Sequence, residues 1–196
     1  MKKTFTKNLV VILALAFVVA ACKQPTALID SAKAAIEDVT KGGADKYAVE
    51  ELKALNDDLT KAMDEVNAQD KKFFKKFGTA KDMLTQLATK AAELKAQIPA
   101  KIEAAKNLAV QLQGEAQTAL TEAKDLLAKA PKGKGTAKDL EALKADLTGA
   151  ETAFAEIQAA LDGSDFNGAK DKAMSVKEKA AAIAEQVKAA IEKVKK

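Results

Sequence analysis

Apolar residues in the last third of this chain recur at steps of three and four without a miss. Leu140, Leu143, Leu147, Ala150, Phe154, Ile157 and Leu161 form one run; Ala169, Ala173, Val176, Ala180, Ile183, Val187, Ala190 and Val194 form the next. That rhythm puts one narrow apolar seam on a helix and is wrong for a strand, whose faces alternate every second residue. A narrow seam is buried by laying helices side by side at shallow angles. Alanine, lysine, leucine and glutamate, the strongest helix formers, dominate the 196 residues. Many seam positions are alanine, which lets helix axes approach closely but buries little area. The expectation is an all-α fold: an elongated antiparallel helical bundle with heptad-like packing and a modest core.

Few points interrupt the pattern. Lys41-Gly42-Gly43, Phe77-Gly78, the stretch 131–135 and Asp162-Gly163-Ser164 read as breaks. The first helix is predicted over 26–41, with Leu28, Ala32, Ile36 and Val39 on its stripe, and the second over 46–73, with Leu52, Leu55, Leu59, Ala62 and Val66. A third begins near Thr79, carries Leu84, Leu87, Ala91, Leu94 and Ile98, and continues through Ile102, Ala105, Leu108, Leu112, Ala116, Ala119, Ala123 and Leu126. Pro99 interrupts it; proline removes a donor and clashes with the preceding turn, which predicts a kink or short break. The two C-terminal runs supply the fourth and fifth helices. Thr79-x-x-Asp82 and Thr136-x-x-Asp139 resemble capping boxes with Asp in place of Glu.

The chain also resembles itself. Residues 52–60 match 140–148 at six of nine positions, a shift of 88, and 77–82 match 166–171 at four of six, a shift of 89. Ala32-Lys33 and Lys41-Gly42 recur as Ala123-Lys124 and Lys132-Gly133, a shift of 91. Alanine and lysine inflate such matches, yet three in order with small gaps at expected loops favour duplication. The expected division is a first helical unit over 26–98 and a second, related one over 99–196.

Residues 1–21 have the three parts of an export signal. Lys2, Lys3 and Lys7 form the basic start, and Leu9 to Ala20 is an uncharged apolar stretch too short for a comfortable membrane span. It ends in Val19-Ala20-Ala21-Cys22, which resembles the lipobox read by lipoprotein signal peptidase. Small residues let the backbone enter the protease, and the Cys22 thiol takes a diacylglycerol. The freed amine can take a third acyl chain, such as palmitate. At about 0.8 kcal/mol per buried CH₂, two or three chains anchor stably where one would not. Residues 22–25 then form a lipidated linker. Lys23, rather than Asp, follows the cysteine, which points to the outer membrane, facing the periplasm, if the bacterium has two membranes.

Composition narrows the chemistry. Cys22 is the sole cysteine, so lipidation leaves no thiol for a disulfide, metal or redox step. There is no histidine, the usual metal ligand and acid–base, and all 32 basic residues are lysine, without the planar fork that clamps phosphates. Setting aside the three lysines of residues 1–21 leaves 29 basic against 28 acidic residues, too even a balance for bulk attraction to nucleic acid. Carboxylates sit among lysines at helical spacing, as on solvated faces. The expectation is a non-enzymatic protein without metal or cofactor.

Two stretches carry a family resemblance. Ala44-Asp45-Lys46-Tyr47-Ala48-Val49-Glu50-Glu51-Leu52 resembles the Tyr-Ala-Pro-x-x-Leu start of a family of alanine-rich, tetratricopeptide-like helical bacterial envelope lipoproteins of unknown function. Leu161-Asp162-Gly163-Ser164-Asp165-Phe166-Asn167-Gly168-Ala169 resembles that family's Gly-Asp-Tyr-x-x-Ala turn. Val49 stands where the family has proline, and the tetratricopeptide tryptophan is absent. The resemblance implies a helical envelope lipoprotein and supplies no activity.

Three features remain. Lys71-Lys72-Phe73-Phe74-Lys75-Lys76-Phe77 reads either as an interfacial element, aromatics in lipid headgroups and lysines on anionic lipid, or as a helix end whose phenylalanines cap the core. Phe166 opposite Phe77, without the lysines, tips the weight to the structural reading. Lys132-Gly133-Lys134-Gly135 lacks the spacing of a phosphate loop and reads as a turn. Lys196 resembles the terminal lysine by which a lipidated helical protein of enteric outer membranes joins peptidoglycan; lysine also suits any helix C-terminus. The functional expectation is a membrane-anchored helical scaffold or protein-binding spacer with an envelope protein as partner. The alternatives are an amphipathic-helix carrier of lipid or another hydrophobic ligand, and a peptidoglycan tether through Lys196. The seams also permit a homo-oligomer.

Overall fold

The computed structural model describes residues 23–131 and 137–195; the side chains of residues 194 and 195 are not included. The described residues form an all-α bundle fold without strands. Helix α1 spans Thr26–Val39. A π-helical turn, Thr40–Ala44, and one helical turn, α2 (Asp45–Tyr47), lead to α3, Val49–Asp70. Helix α4 spans Gly78–Lys129, α5 Ala137–Asp162 and α6 Phe166–Lys195. Backbone packing divides the chain into two compact units, Met1–Pro99 and Ala100–Lys196, so the division falls inside α4.

In the first unit α3 runs antiparallel to the first half of α4: Asp58 meets Lys90 at 2.6 Å, and Glu51 and Gln97 line one groove. The chain of α1 follows α4 in parallel: Asp38 lies 2.6 Å from Lys95, and one turn further on a Cβ at Gly42 would lie 3.3 Å from the Ile98 side chain. Three helices thus run up, down and up. The second unit has the same path. Lys124 on α4 meets Glu151 on α5 at 2.9 Å, and Gln113 bonds Gln158, so these helices are antiparallel. Glu115 with Lys177 and Glu122 with Lys188 set α6 parallel to α4.

Buried positions recur at the three shifts read from the sequence. Ile29, Ala32, Ile36 and Val39 correspond to Leu120, Ala123, Leu127 and Ala130, all buried. Leu55, Ala62 and Gln69 correspond to Leu143, Ala150 and Ile157. Ala80, Leu84, Leu87, Ala91, Leu94 and Ile98 correspond to Ala169, Ala173, Val176, Ala180, Ile183 and Val187. The ion pairs do not recur: Asp146 and Lys179, the counterparts of Asp58 and Lys90, make no pair among the described residues. The common element is therefore the apolar seam, as expected when exposed pairs contribute about 0–1 kcal/mol each and burial dominates. Sixteen of the 36 buried hydrophobic residues described are alanine, so each seam is close-set and small.

The structure corrects several expectations. Helix α4 is helical throughout, Pro99 included, without the short break. Pro99 is exposed and Ile98 beside it is buried, so the seam is kept and the missing donor leaves only an outward carbonyl that water can serve. Thr79 is not a cap: the Phe77 carbonyl accepts the first helical bond from the Lys81 N–H at 2.9 Å, which makes Phe77 the N-cap. Ile29, not Leu28, faces the core. Beyond Pro99 the buried line is Ala109, Ala116, Leu120, Ala123, Leu127 and Ala130, one residue off the expected Leu108, Ala119 and Leu126. The first helix ends at Val39 rather than 41, in a π turn where Gly43 takes φ 104°, a left-handed value that glycine adopts without steric cost. The second helix stops at Asp70, three residues before the predicted 73.

Candidate functional site

The early stop of α3 shapes the most distinctive surface of the first unit. Gln69 occupies a core position, and its counterpart in the second unit is Ile157. Its side-chain amide donates to Glu65 at 2.7 Å, and its side-chain oxygen accepts the Lys76 backbone N–H at 3.4 Å. The Lys72 N–H bonds the Gln69 carbonyl at 3.0 Å. These bonds fold residues 71–77 into a turn clamped to the last turn of α3. Phe77 is drawn inside, fully buried as N-cap of α4.

The same turn expels its other two rings. Phe73 is 93% and Phe74 78% exposed, and they touch only edge to face, with centroids 5.0 Å apart and planes at 86°. The core-capping reading holds for Phe77 and fails for Phe73 and Phe74. Lys71, Lys72 and Lys76 are exposed around them, while Lys75 pairs with Asp70 at 2.5 Å.

The second unit closes the corresponding connection differently. Helix α5 continues to Asp162, and only 163–165 separate it from α6. The Asp165 N–H bonds the Ala160 carbonyl and the Ser164 N–H bonds that of Leu161, a Schellman closure with Ser164 in the left-handed position at φ 58°. Asp165 then caps α6: its carbonyl accepts from Ala169 at 2.8 Å and its carboxylate from the Gly168 N–H at 3.1 Å. Phe166, the counterpart of Phe77, is buried, and nothing like the Phe73–Phe74 pair projects.

At the N-terminal end of the described residues, the chain joins the fold abruptly. Pro25 is buried and caps α1, its carbonyl accepting the Ile29 N–H at 3.0 Å. Only Lys23 and Gln24, both exposed, stand between it and Cys22. Val19, Ala20, Ala21, Cys22, Lys132–Gly135, Thr136 and Lys196 lie outside the described residues. Val49, where the resembling family has proline, is the first residue of α3, a position that suits proline.

Corresponding grooves lie between the second and third helix of each unit. One, about 220 Å³, is lined by Leu55, Asp58, Lys90, Leu94 and Gln97; the other, about 420 Å³, by Asp146, Lys179, Ile183 and Gln186. Neighbouring partners favour the charged form of five groups on the two units. The Lys90 ammonium holds the Asp58 carboxyl below its ordinary range, Lys177 and then Gln111 do so for Glu115, and Lys172 for Glu156. Glu185 and then Glu122 raise Lys188, and Glu37 raises Lys41.

Sequence reasoning found the 71–76 segment by its composition but missed Gln69, Pro25 and Asp165, which set the geometry. Gln69 was visible as the next step of the Ala62, Val66 stripe, a polar residue in an apolar slot. Comparison with family models, curated proteins and solved structures finds no match.

Proposed function

We propose that this chain is a bacterial envelope lipoprotein, acylated on Cys22 after removal of residues 1–21, whose helical units form a non-enzymatic scaffold that binds a protein partner at a membrane surface. The observation that carries this reading is the burial of Pro25: the folded unit begins three residues after the lipobox cysteine. A linker of that length spans about 10 Å at most, so acylation holds the unit against the bilayer rather than on a long leash. The lack of histidine and arginine, and a single cysteine committed to lipid, supports a structural rather than catalytic role. The family resembled by 44–52 and 161–169 supports the envelope setting. Lys23 supports the outer membrane where there are two.

The carrier reading draws on the alanine-rich seams, which make helix separation cheap. On that reading, lipid vesicles or detergent change helix content or melting temperature; on the scaffold reading they leave both unchanged.

In-cell crosslinking of the full-length protein, followed by mass spectrometry of what is attached, tests the scaffold. One envelope protein, a second copy, or a muropeptide on Lys196 in near-stoichiometric amount supports a scaffold, an oligomer or a tether respectively. Lipid and scattered neighbours alone sink the scaffold and leave the carrier.

A further inference from the structure

We infer that the α3–α4 turn is a second membrane contact, in which Phe73 and Phe74 enter the headgroup layer of an anionic bilayer and Lys71, Lys72 and Lys76 meet its phosphates. The position of the bilayer comes from the acylation proposed above; the contact itself stands on separate observations.

The first is that the fold does not need this turn. The second unit joins the corresponding helices, α5 and α6, through 163–165 without an exposed ring. The first unit stops α3 early and holds the open turn with Gln69. Two adjacent phenylalanines at 93% and 78% exposure serve nothing within the unit. Scattered apolar residues are ordinary on a surface, but a paired aromatic projection framed by charge marks a contact site.

The second is charge. Residues 70–77 hold four lysines against Asp70 alone, and Asp70 is taken up by Lys75. Aromatic rings between lysines match the interface of a bilayer, where rings sit among headgroups and ammonium groups pair with phosphate. A protein groove built for two rings has no comparable call for three ammonium groups around them that make no ion pair among the described residues.

The third is position. Asp38 on α1 is level with Lys95 on the parallel α4, so Thr26 is level with Met83. Helix α4 extends below that level to Gly78, roughly 7 Å further at ~1.5 Å per residue. The turn 71–77 therefore lies at the end of the unit where α1 starts, and projects past it. Lys23, Gln24 and Pro25 cover about 10 Å even when extended. The acyl chains on Cys22 and the rings of Phe73 and Phe74 thus reach the same plane. Two contacts fix an orientation that one anchor leaves free: the first unit stands end-on, with the Val49 end of α3 pointing away.

The test uses the absence of tryptophan from the native chain. The processed full-length protein carrying Phe73→Trp, or Val49→Trp as the distal control, is purified from membranes. Each is reconstituted in phosphatidylethanolamine–phosphatidylglycerol vesicles, some containing lipid brominated near the headgroup. Both native side chains are exposed, so neither change threatens the fold. The expected result is blue-shifted, strongly quenched emission at position 73 and unshifted, unquenched emission at 49. Changing Lys71, Lys72 and Lys76 to Glu abolishes the difference, and neutralising any one of them by Lys→Gln weakens the turn's attraction on the order of fivefold. Equal quenching at 73 and 49 with acylated Cys22 overturns the contact and leaves the anchor standing. If Cys22 carries no acyl group, the anchor falls. Quenching at 73 by added vesicles then still supports the contact, and its absence overturns it.

Discussion

Ser164 holds a left-handed backbone without being glycine, while Gly163 beside it does not use its freedom in that way. A Cβ in that region costs about 1 kcal/mol, and the Schellman closure of α5 imposes it here. Ser164→Gly is therefore expected to raise stability by up to about 1 kcal/mol, read as a higher midpoint in urea denaturation followed by circular dichroism. Asp165 works in the opposite direction. It satisfies the Gly168 N–H at the start of α6, so Asp165→Ala should cost about 1 kcal/mol in the same assay. Gly168 belongs to this device, since a Cβ there lies 2.1 Å from the Asp165 carboxylate. The break at 162–164 was legible from its residues, but which one turns left-handed was not. That choice follows from how many residues separate α5 from the buried Phe166.

At the scale of elements, Pro99 offers a direct test of what holds α4. It lies inside the helix, exposed, between seams buried on either side. Proline in a helix interior costs about 3 kcal/mol relative to alanine, partly offset by its stiffening of the unfolded chain. Pro99→Ala should thus stabilise the protein by about 1–3 kcal/mol. A loss of stability on that change would show that the proline supports its surroundings in another way. The ion pairs predict a weaker effect. Asp58 is held below its usual range by Lys90, so its stabilisation is present above the unfolded carboxyl pKa and is lost as pH falls through the lower folded value. Lys90→Ala should remove this contribution, about 0.5 kcal/mol or less at neutral pH, and flatten the acid limb of the stability curve. The stripes of α5 and α6 were legible because large residues mark them at unbroken three-four spacing. After Pro99, small residues leave two adjacent stripes open, Leu108 against Ala109 and Leu126 against Leu127, and hydropathy does not choose between them. The positions of α5 and α6 do, which is tertiary information.

At the scale of the whole molecule, fold class followed from periodicity alone, while the surface that distinguishes the two units did not. Residues 71–76 stood out by composition, yet their reading as a core cap failed for Phe73 and Phe74. The turn is opened by a bond between Gln69 and Lys76, seven residues apart, that no local pattern encodes. The burial of Pro25 bears on the proposed acylation, because only Lys23 and Gln24 separate it in sequence from Cys22. Anchoring at Cys22 is the central claim. It is tested most directly by the mass of the N-terminal peptide of the protein isolated from membranes of its own organism. The prediction is a chain beginning at Cys22 and carrying a diacylglyceryl group, with or without a further acyl chain on the amine. A chain that begins elsewhere, or an unmodified Cys22, would contradict it.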